Sequence, residues 1–182
     1  TEAEIKHLNN YQISMVGTTT DGEHFTATAG TDYIPVTTAG RQVLNGLQTT
    51  AYCRIRHVGD DFARAERQRN VLIAMMEKAK GASLGSLTDA VNAVLPNIRT
   101  SVDIADIFSM LGVIGDFRVT VSDGFPFEGM RNGGTIGTKG DCVVPVSLEE
   151  NVIRLHELLY AEEDYVPSKE LQEFSKIVEA DT

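Results

Sequence analysis

An α/β fold, a twisted sheet flanked by helices, is predicted by three observations. Several segments carry apolar residues at helical spacing, open on Ser, Thr, Asp or Asn, and close on Gly or Pro. Two short stretches, Phe117–Val121 and Cys142–Val146, read as strands. The chain of 182 residues, 42% of them hydrophobic, is long enough to bury a core and is read as one domain, 1–182.

The elements follow in chain order. Thr1 with Glu4 makes a capping-box pattern before a helical stripe of Ile5, Leu8 and Ile13. Residues 18–30 are rich in Thr and Gly, with His24–Ala29 as a short strand or hairpin. Tyr33-Ile34-Pro35-Val36 should be extended, because the residue before Pro avoids the helical region. Asn45-Gly46 opens a short helix that ends near Arg54 and Arg56. Asp60 or Asp61 caps a long helix, Phe62–Lys80, closed by Gly81. Its acidic start and its basic end at Lys78 and Lys80 suit the helix dipole. Further helices are expected over Leu84–Leu95, stopped at Pro96, and over Val102–Leu111. The stretch from Asp123 to Gly140 reads as a long Gly-rich loop. Two last helices start at Ser147 and near Pro167-Ser168.

Charge narrows the function. A net charge of −10 speaks against a nucleic-acid partner, which calls for a basic face. No apolar run approaches the roughly 20 residues that cross a bilayer. The chain opens without an initiator Met or a signal-peptide pattern and is expected to be a piece of a longer protein, any membrane anchor lying upstream. Cys53 and Cys142 are too few for a disulfide framework and lack metal-ligand spacing. They are two free thiols or, in an exported protein, one disulfide.

Against this acidity, five arginines fall within sixteen residues: Arg54, Arg56, Arg64, Arg67 and Arg69. Arginine stays charged and grips phosphate oxygens bidentately. Asp61, Arg64 and Gln68 share one face of the long helix, with Arg67 about 60° away and Arg69 turned to solvent. Arg54 and Arg56 can close over the helix's first turn, whose backbone donors favour anions. The group predicts a cationic cup for pyrophosphate, with the Asp61 carboxylate inside it to orient an arginine, hold a metal or accept a proton. Any one of these arginines, such as Arg64 in an i,i+4 pair with Asp60, would by itself be an ordinary surface residue.

The residues that carry this cup resemble a known family. Leu44-Asn45-Gly46-Leu47-Gln48, then Ala51-Tyr52-Cys53-Arg54-Ile55-Arg56, then Gly59-Asp60-Asp61-Phe62-Ala63-Arg64 and Arg67-Gln68 are similar to the LytR-CpsA-Psr signature. That signature is a Leu-Asn-Gly turn, Tyr-Ala-Arg-x-Arg, Gly-Asp-Phe-x-Arg and Arg-Gln, with Cys53 standing here in place of the usual Ala. The run Asn151–Leu159 and Tyr165-Val166-Pro167-Ser168 also resemble family segments.

The resemblance implies a phosphotransferase that moves an anionic glycopolymer, such as teichoic acid or capsule, from a polyprenyl-pyrophosphate carrier to peptidoglycan. The reaction would take place on the extracytoplasmic face of the cell membrane. Arg54, Arg56, Arg64 and Gln68 map onto pyrophosphate-binding positions, with Arg67 a further motif member. Asp61 maps onto the acidic residue of the cluster, so Asp61 and Arg64 are the expected catalytic pair. Mg²⁺ is implied as cofactor, its ligands upstream of Thr1. The chain would then be the C-terminal part of an α/β/α domain, inactive alone, and either joined by its missing N-terminal segment or self-associated.

Val71, Leu72, Met75 and Met76 follow the arginines and are expected either to line a polyprenyl cleft or to be core. The alternative function is a non-catalytic polyprenyl-pyrophosphate-binding module acting through partners. A third, transcriptional regulation, sits poorly with the acidity. His57 packs at the turn in this reading, and His7, His24 and His156 show no ligand spacing.

Overall fold

Helices carry most of the regular structure, and their starts follow the caps written in the sequence. The computed structural model describes residues 1–19 and 21–180. Helix α1 is Glu2–Val16, α2 Gly46–Arg54 and α3 Asp61–Lys80. Helix α4 is Leu84–Val94 and α5 Ile104–Gly112. Strands β1, Arg131–Thr135, and β2, Asp141–Pro145, precede α6, Leu148–Tyr160, and α7, Lys169–Ala180. The chain divides into two compact units, Thr1–Thr120 and Val121–Thr182. None of the described helices is long and apolar enough to cross a membrane.

The caps do what short polar side chains do at helix starts, accepting backbone N–H groups that have no partner within the helix. Asn45 accepts from Gln48 N at 2.8 Å while Gln48 Oε1 accepts from Asn45 N at 2.8 Å. Asp60 caps α3 through Ala63 N at 2.8 Å. Ser83, Asp103 and Ser147 cap α4, α5 and α6. Glu4 reaches back to both the amino group and the hydroxyl of Thr1, each at 2.8 Å.

In the first unit the core is Leu8, Val36, Ala51 and Ile55, with Ile5, Tyr11, Met15, Leu44, Tyr52 and Val58 packed around it. This joins α1 to α2 and pins the segment between them. Three side-chain amides hold that segment where no sheet does. Asn9 donates to Val36 O and accepts from Val36 N, both at 2.9 Å. Gln12 and Gln48 both donate to Ile34 O, at 3.1 and 2.9 Å. Buried backbone groups must be paired, and here amides on the two helices do the pairing. By contrast α4 and α5 bury no residue fully.

The two expected strands differ in outcome. Strand β2, Asp141–Pro145, falls one residue earlier than the expected Cys142–Val146. The expected strand Phe117–Val121 carries no regular structure, and its apolar residues Phe117, Val119 and Val121 are exposed. Its alternation suits a sheet, but a strand exists only where another strand accepts its hydrogen bonds. The expected Gly-rich loop contains β1 instead. Arg131–Thr135 pairs antiparallel with β2, Arg131 opposite Pro145 and Thr135 opposite Asp141. Gly137 and Gly140, at φ 48° and 80°, supply the left-handed turn that brings the strands back. The sheet of the described residues is this two-stranded one, in a mixed helix-and-strand fold. The expected hairpin at His24–Ala29 is reduced to single bridges, Thr18 with Thr26 and Ala29 with Tyr33. Pro96 falls inside a short 3-10 turn, Leu95–Asn97, so α4 stops one residue earlier than expected.

The second unit turns on Asn151, fully buried at the start of α6. Its Oδ1 accepts from Phe127 N at 2.9 Å, and its Nδ2 donates to Met130 O at 3.0 Å and Ser147 O at 2.8 Å. One side chain thereby joins the chain entering β1 to the helix after β2. Asn151→Ala removes these bonds and leaves buried backbone groups unpaired. The expected destabilisation of this unit is about 3 kcal/mol, read as a lower denaturant midpoint. A change under about 0.5 kcal/mol would show that Asn151 is not the joint.

Candidate functional site

The arginine run lies where α2 ends and α3 begins. Helix α2 closes on Ile55, fully buried in the core of the first unit. Arg54 and Arg56 flank this anchored residue and are both exposed. The guanidinium of Arg54 lies 5.5 Å from the ring centre of Tyr11 on α1. Stacking a cation on a ring restrains it without consuming its hydrogen-bond donors.

The chain then turns through Gly59 at φ 78°, where a Cβ would meet that of Ala63 at 2.6 Å. Only glycine fits, and the turn brings the start of α3 back beside Arg56. Arg56 Nη2 lies 3.5 Å from Asp61 Oδ1, both side chains largely exposed. Such a pair adds little stability, so its effect is to hold a carboxylate next to a cation that a ligand can still reach. Arg64 is one turn further along α3. It is half-buried, and its Nε is shielded from solvent with no hydrogen-bond partner among the described residues.

Other members of the run face the fold. Arg67 is 6% exposed. Its Nη2 donates to Ile55 O at 2.9 Å and Val58 O at 3.0 Å, and its Nη1 lies 3.3 Å from Glu4 Oε1. Gln68 Nε2 donates to Cys53 O at 3.2 Å. Arg69, expected in solvent, is half-buried with a shielded, unpartnered Nε. The structure thus brings Arg56 to Asp61, stacks Arg54 on Tyr11, directs Arg67 and Gln68 to backbone carbonyls, and leaves a shielded Nε without a partner among the described residues on each of Arg64, Arg67 and Arg69.

Two residues that the sequence does not mark as part of the site are also here. The pattern around Glu4 shows only a helix cap, and nothing singles out Tyr11. Neither has a sequence signal, because each meets the run only through packing of α1. His57, expected to pack at the turn, lies against His7 with ring centres 5.2 Å apart. Burial pushes the Cys53 thiol up, away from the thiolate form that reacts. Cys53 and Cys142 are both free thiols.

Leu72 and Met75, on the turns of α3 that follow, are 64% and 59% exposed, while Val71 and Met76 are half-buried. Leu84, Ile104 and Phe108 of the same unit are exposed as well. Among the described residues no group of three or more His, Cys, Asp or Glu side chains is gathered to hold a metal ion. Asp61 alone does not make a Mg²⁺ site.

Comparison with protein families matches residues 11–121 to the LytR_cpsA_psr family, and the chain belongs to that family. The match contains the whole arginine run and ends at the edge of the first compact unit. The Asn151–Leu159 run and Tyr165–Ser168, which also resemble family segments, lie beyond it, as does Glu4. Comparison with curated proteins and with solved structures finds no match.

Burial pushes the Glu4 carboxyl up, but a hydrogen bond from the Thr1 hydroxyl, together with the nearby Arg67 charge, helps to hold it below its ordinary 4.5. With a depressed folded-state value, the stabilisation is complete above the ordinary value and is lost as pH falls through the lowered one. Denaturation followed from about pH 6 to about pH 3 is therefore expected to show a loss of stability that Glu4→Gln reduces. Identical acid slopes in the two proteins would remove Glu4 from the balance.

Proposed function

We propose that the protein is a phosphotransferase that moves an anionic glycopolymer from a polyprenyl-pyrophosphate carrier to peptidoglycan. Membership of the LytR_cpsA_psr family points to cell-wall glycopolymer transfer. The observation that carries the finer reading is the corner between α2 and α3. There an acidic chain exposes Arg54 and Arg56, pairs Arg56 with Asp61, and places Arg64 half-buried one turn further along α3.

Cleaving a phosphoanhydride calls for charge neutralisation on the non-bridging oxygens more than for covalent help. In this reading Arg54, Arg56 and Arg64 bind the pyrophosphate oxygens through their guanidinium groups. Gln68 borders the site through its amide. A sugar hydroxyl of peptidoglycan attacks the phosphorus bearing the glycopolymer, the anhydride P–O bond breaks, and polyprenyl phosphate leaves. Asp61 accepts the hydroxyl proton and until then orients Arg56. Mg²⁺, when bound, would supply further charge neutralisation at the phosphates; its ligands are not assigned to residues of this chain.

The exposed stripe of Leu72 and Met75, with Val71 and Met76 beside it, suits the polyprenyl tail or the face of a larger central sheet. The reaction belongs on the outer face of the cell membrane, where both the carrier and peptidoglycan are found.

Isothermal titration with inorganic pyrophosphate tests the anion site. Micromolar to millimolar binding that weakens with salt is expected, and Arg54→Ala, Arg56→Ala or Arg64→Ala should each weaken it about tenfold. Asp61→Asn should bind as well or better while losing turnover of lipid-linked substrate, because it removes a competing carboxylate and the proton acceptor together. Three single changes without effect would sink the site. Binding without turnover in the complete protein would favour a binding module.

The tail reading has its own test. Leu72→Glu and Met75→Glu sit at exposed positions and should fold normally. Both are expected to weaken polyprenyl pyrophosphate about tenfold or more while leaving inorganic pyrophosphate unchanged. Equal affinity for the lipid in variant and unchanged protein would place the tail elsewhere.

A further inference from the structure

Arg67 stands in the middle of the arginine run, yet its donors point inward. Two of them meet the carbonyls of Ile55 and Val58, a third approaches Glu4, and the residue is nearly buried. We propose that Arg67, paired with Glu4, is a positioning residue that sets the Arg54-Ile55-Arg56 segment for a pyrophosphate-bearing ligand without touching that ligand. The inference rests on the anion-binding reading above.

The geometry supports this over direct contact. Arg67 and its neighbour Gln68 together hold the carbonyls of Cys53, Ile55 and Val58, all in the short stretch that carries Arg54 and Arg56. The Ile55 carbonyl lies in the peptide plane that leads into Arg56, and the Cys53 carbonyl held by Gln68 lies in the plane that leads into Arg54, so the two contacts fix the backbone on which both arginines stand. A single planar guanidinium can bridge two carbonyls and a carboxylate because its donors diverge at set angles. A lysine ammonium keeps the charge but not the fork. An anion reaching Arg67 would have to take donors from three acceptors already in place, in a site where Glu4 offsets the charge. Preorganised donors bind better because less ordering remains to be done on binding. Glu4 also lies outside the family-matched residues, so the tie joins the signature to a part of α1 the match does not reach.

The test is a mutant cycle read by isothermal titration with inorganic pyrophosphate, with melting temperature and amide hydrogen exchange measured alongside. Arg67→Lys is expected to stay folded and to bind about tenfold more weakly. Exchange at residues 54–58 should rise in the free protein. In an Arg56→Ala background the same change should cost about threefold or less, since residues acting through one another are not additive. Equal loss in both backgrounds would mean that Arg67 contacts the ligand and would overturn the proposal. Unchanged affinity, with or without a lower melting temperature, would make Arg67 a purely structural cation and overturn it too. Should Arg67→Lys fail to fold, Glu4→Gln is carried through the same cycle, where a loss that shrinks in the Arg56→Ala background supports the proposal and an equal loss or none overturns it. No binding by the unchanged protein would remove the anion reading and this inference together, whereas binding with additive losses removes this inference alone.

Discussion

A buried cation holds the functional corner together. Moving a guanidinium out of water is costly unless its donors are met; Arg67 gives its Nη donors to two carbonyls and a carboxylate, while its Nε stays buried and unpartnered among the described residues. The acceptors come from three places in sequence: α1, the end of α2, and the connector to α3. Each depends on the others. Without the Arg67 fork the carbonyls of Ile55 and Val58 lose their donors, and without those carbonyls the charge could not stay inside.

Around that tie the first unit uses polar side chains where a sheet would ordinarily serve. Asn9, Gln12 and Gln48 hold the backbone of Ile34 and Val36 from both sides. Gln12 Oε1 remains buried without a hydrogen-bond partner among the described residues, the least satisfied atom of an otherwise paired network. The core of Leu8, Val36, Ala51 and Ile55 adjoins this network, and Ile55 carries it to the arginines on either side. Rigidity and function share the same few residues.

The rest of the first unit is built differently. Helices α4 and α5 bury nothing fully, and large apolar side chains such as Leu84, Ile104 and Phe108 stand exposed. An exposed apolar face of this kind is a surface that meets something apolar. In the proposed function that is a polyprenyl tail or a larger sheet, and both place the apolar region on the same unit as the charge.

Much of the fold was legible in the sequence because the signals were local. Asn45, Asp60 and Ser147 announced their helices, since a cap is an interaction between residues three apart. The arginine run was legible as a cluster, and its family followed from the motif. What could not be read was whatever depends on a distant partner. Phe117–Val121 has the alternation of a strand but no strand beside it among the described residues, whereas Arg131–Thr135, poor in side chains, pairs because β2 folds back onto it. Arg67 and Arg64 are alike in sequence, three residues apart on one helix. Only the packing of α1 and α2 against α3 turns Arg67 inward to the carbonyls and leaves Arg64 half-buried without them, because burial and hydrogen-bond partners are properties of the assembled structure.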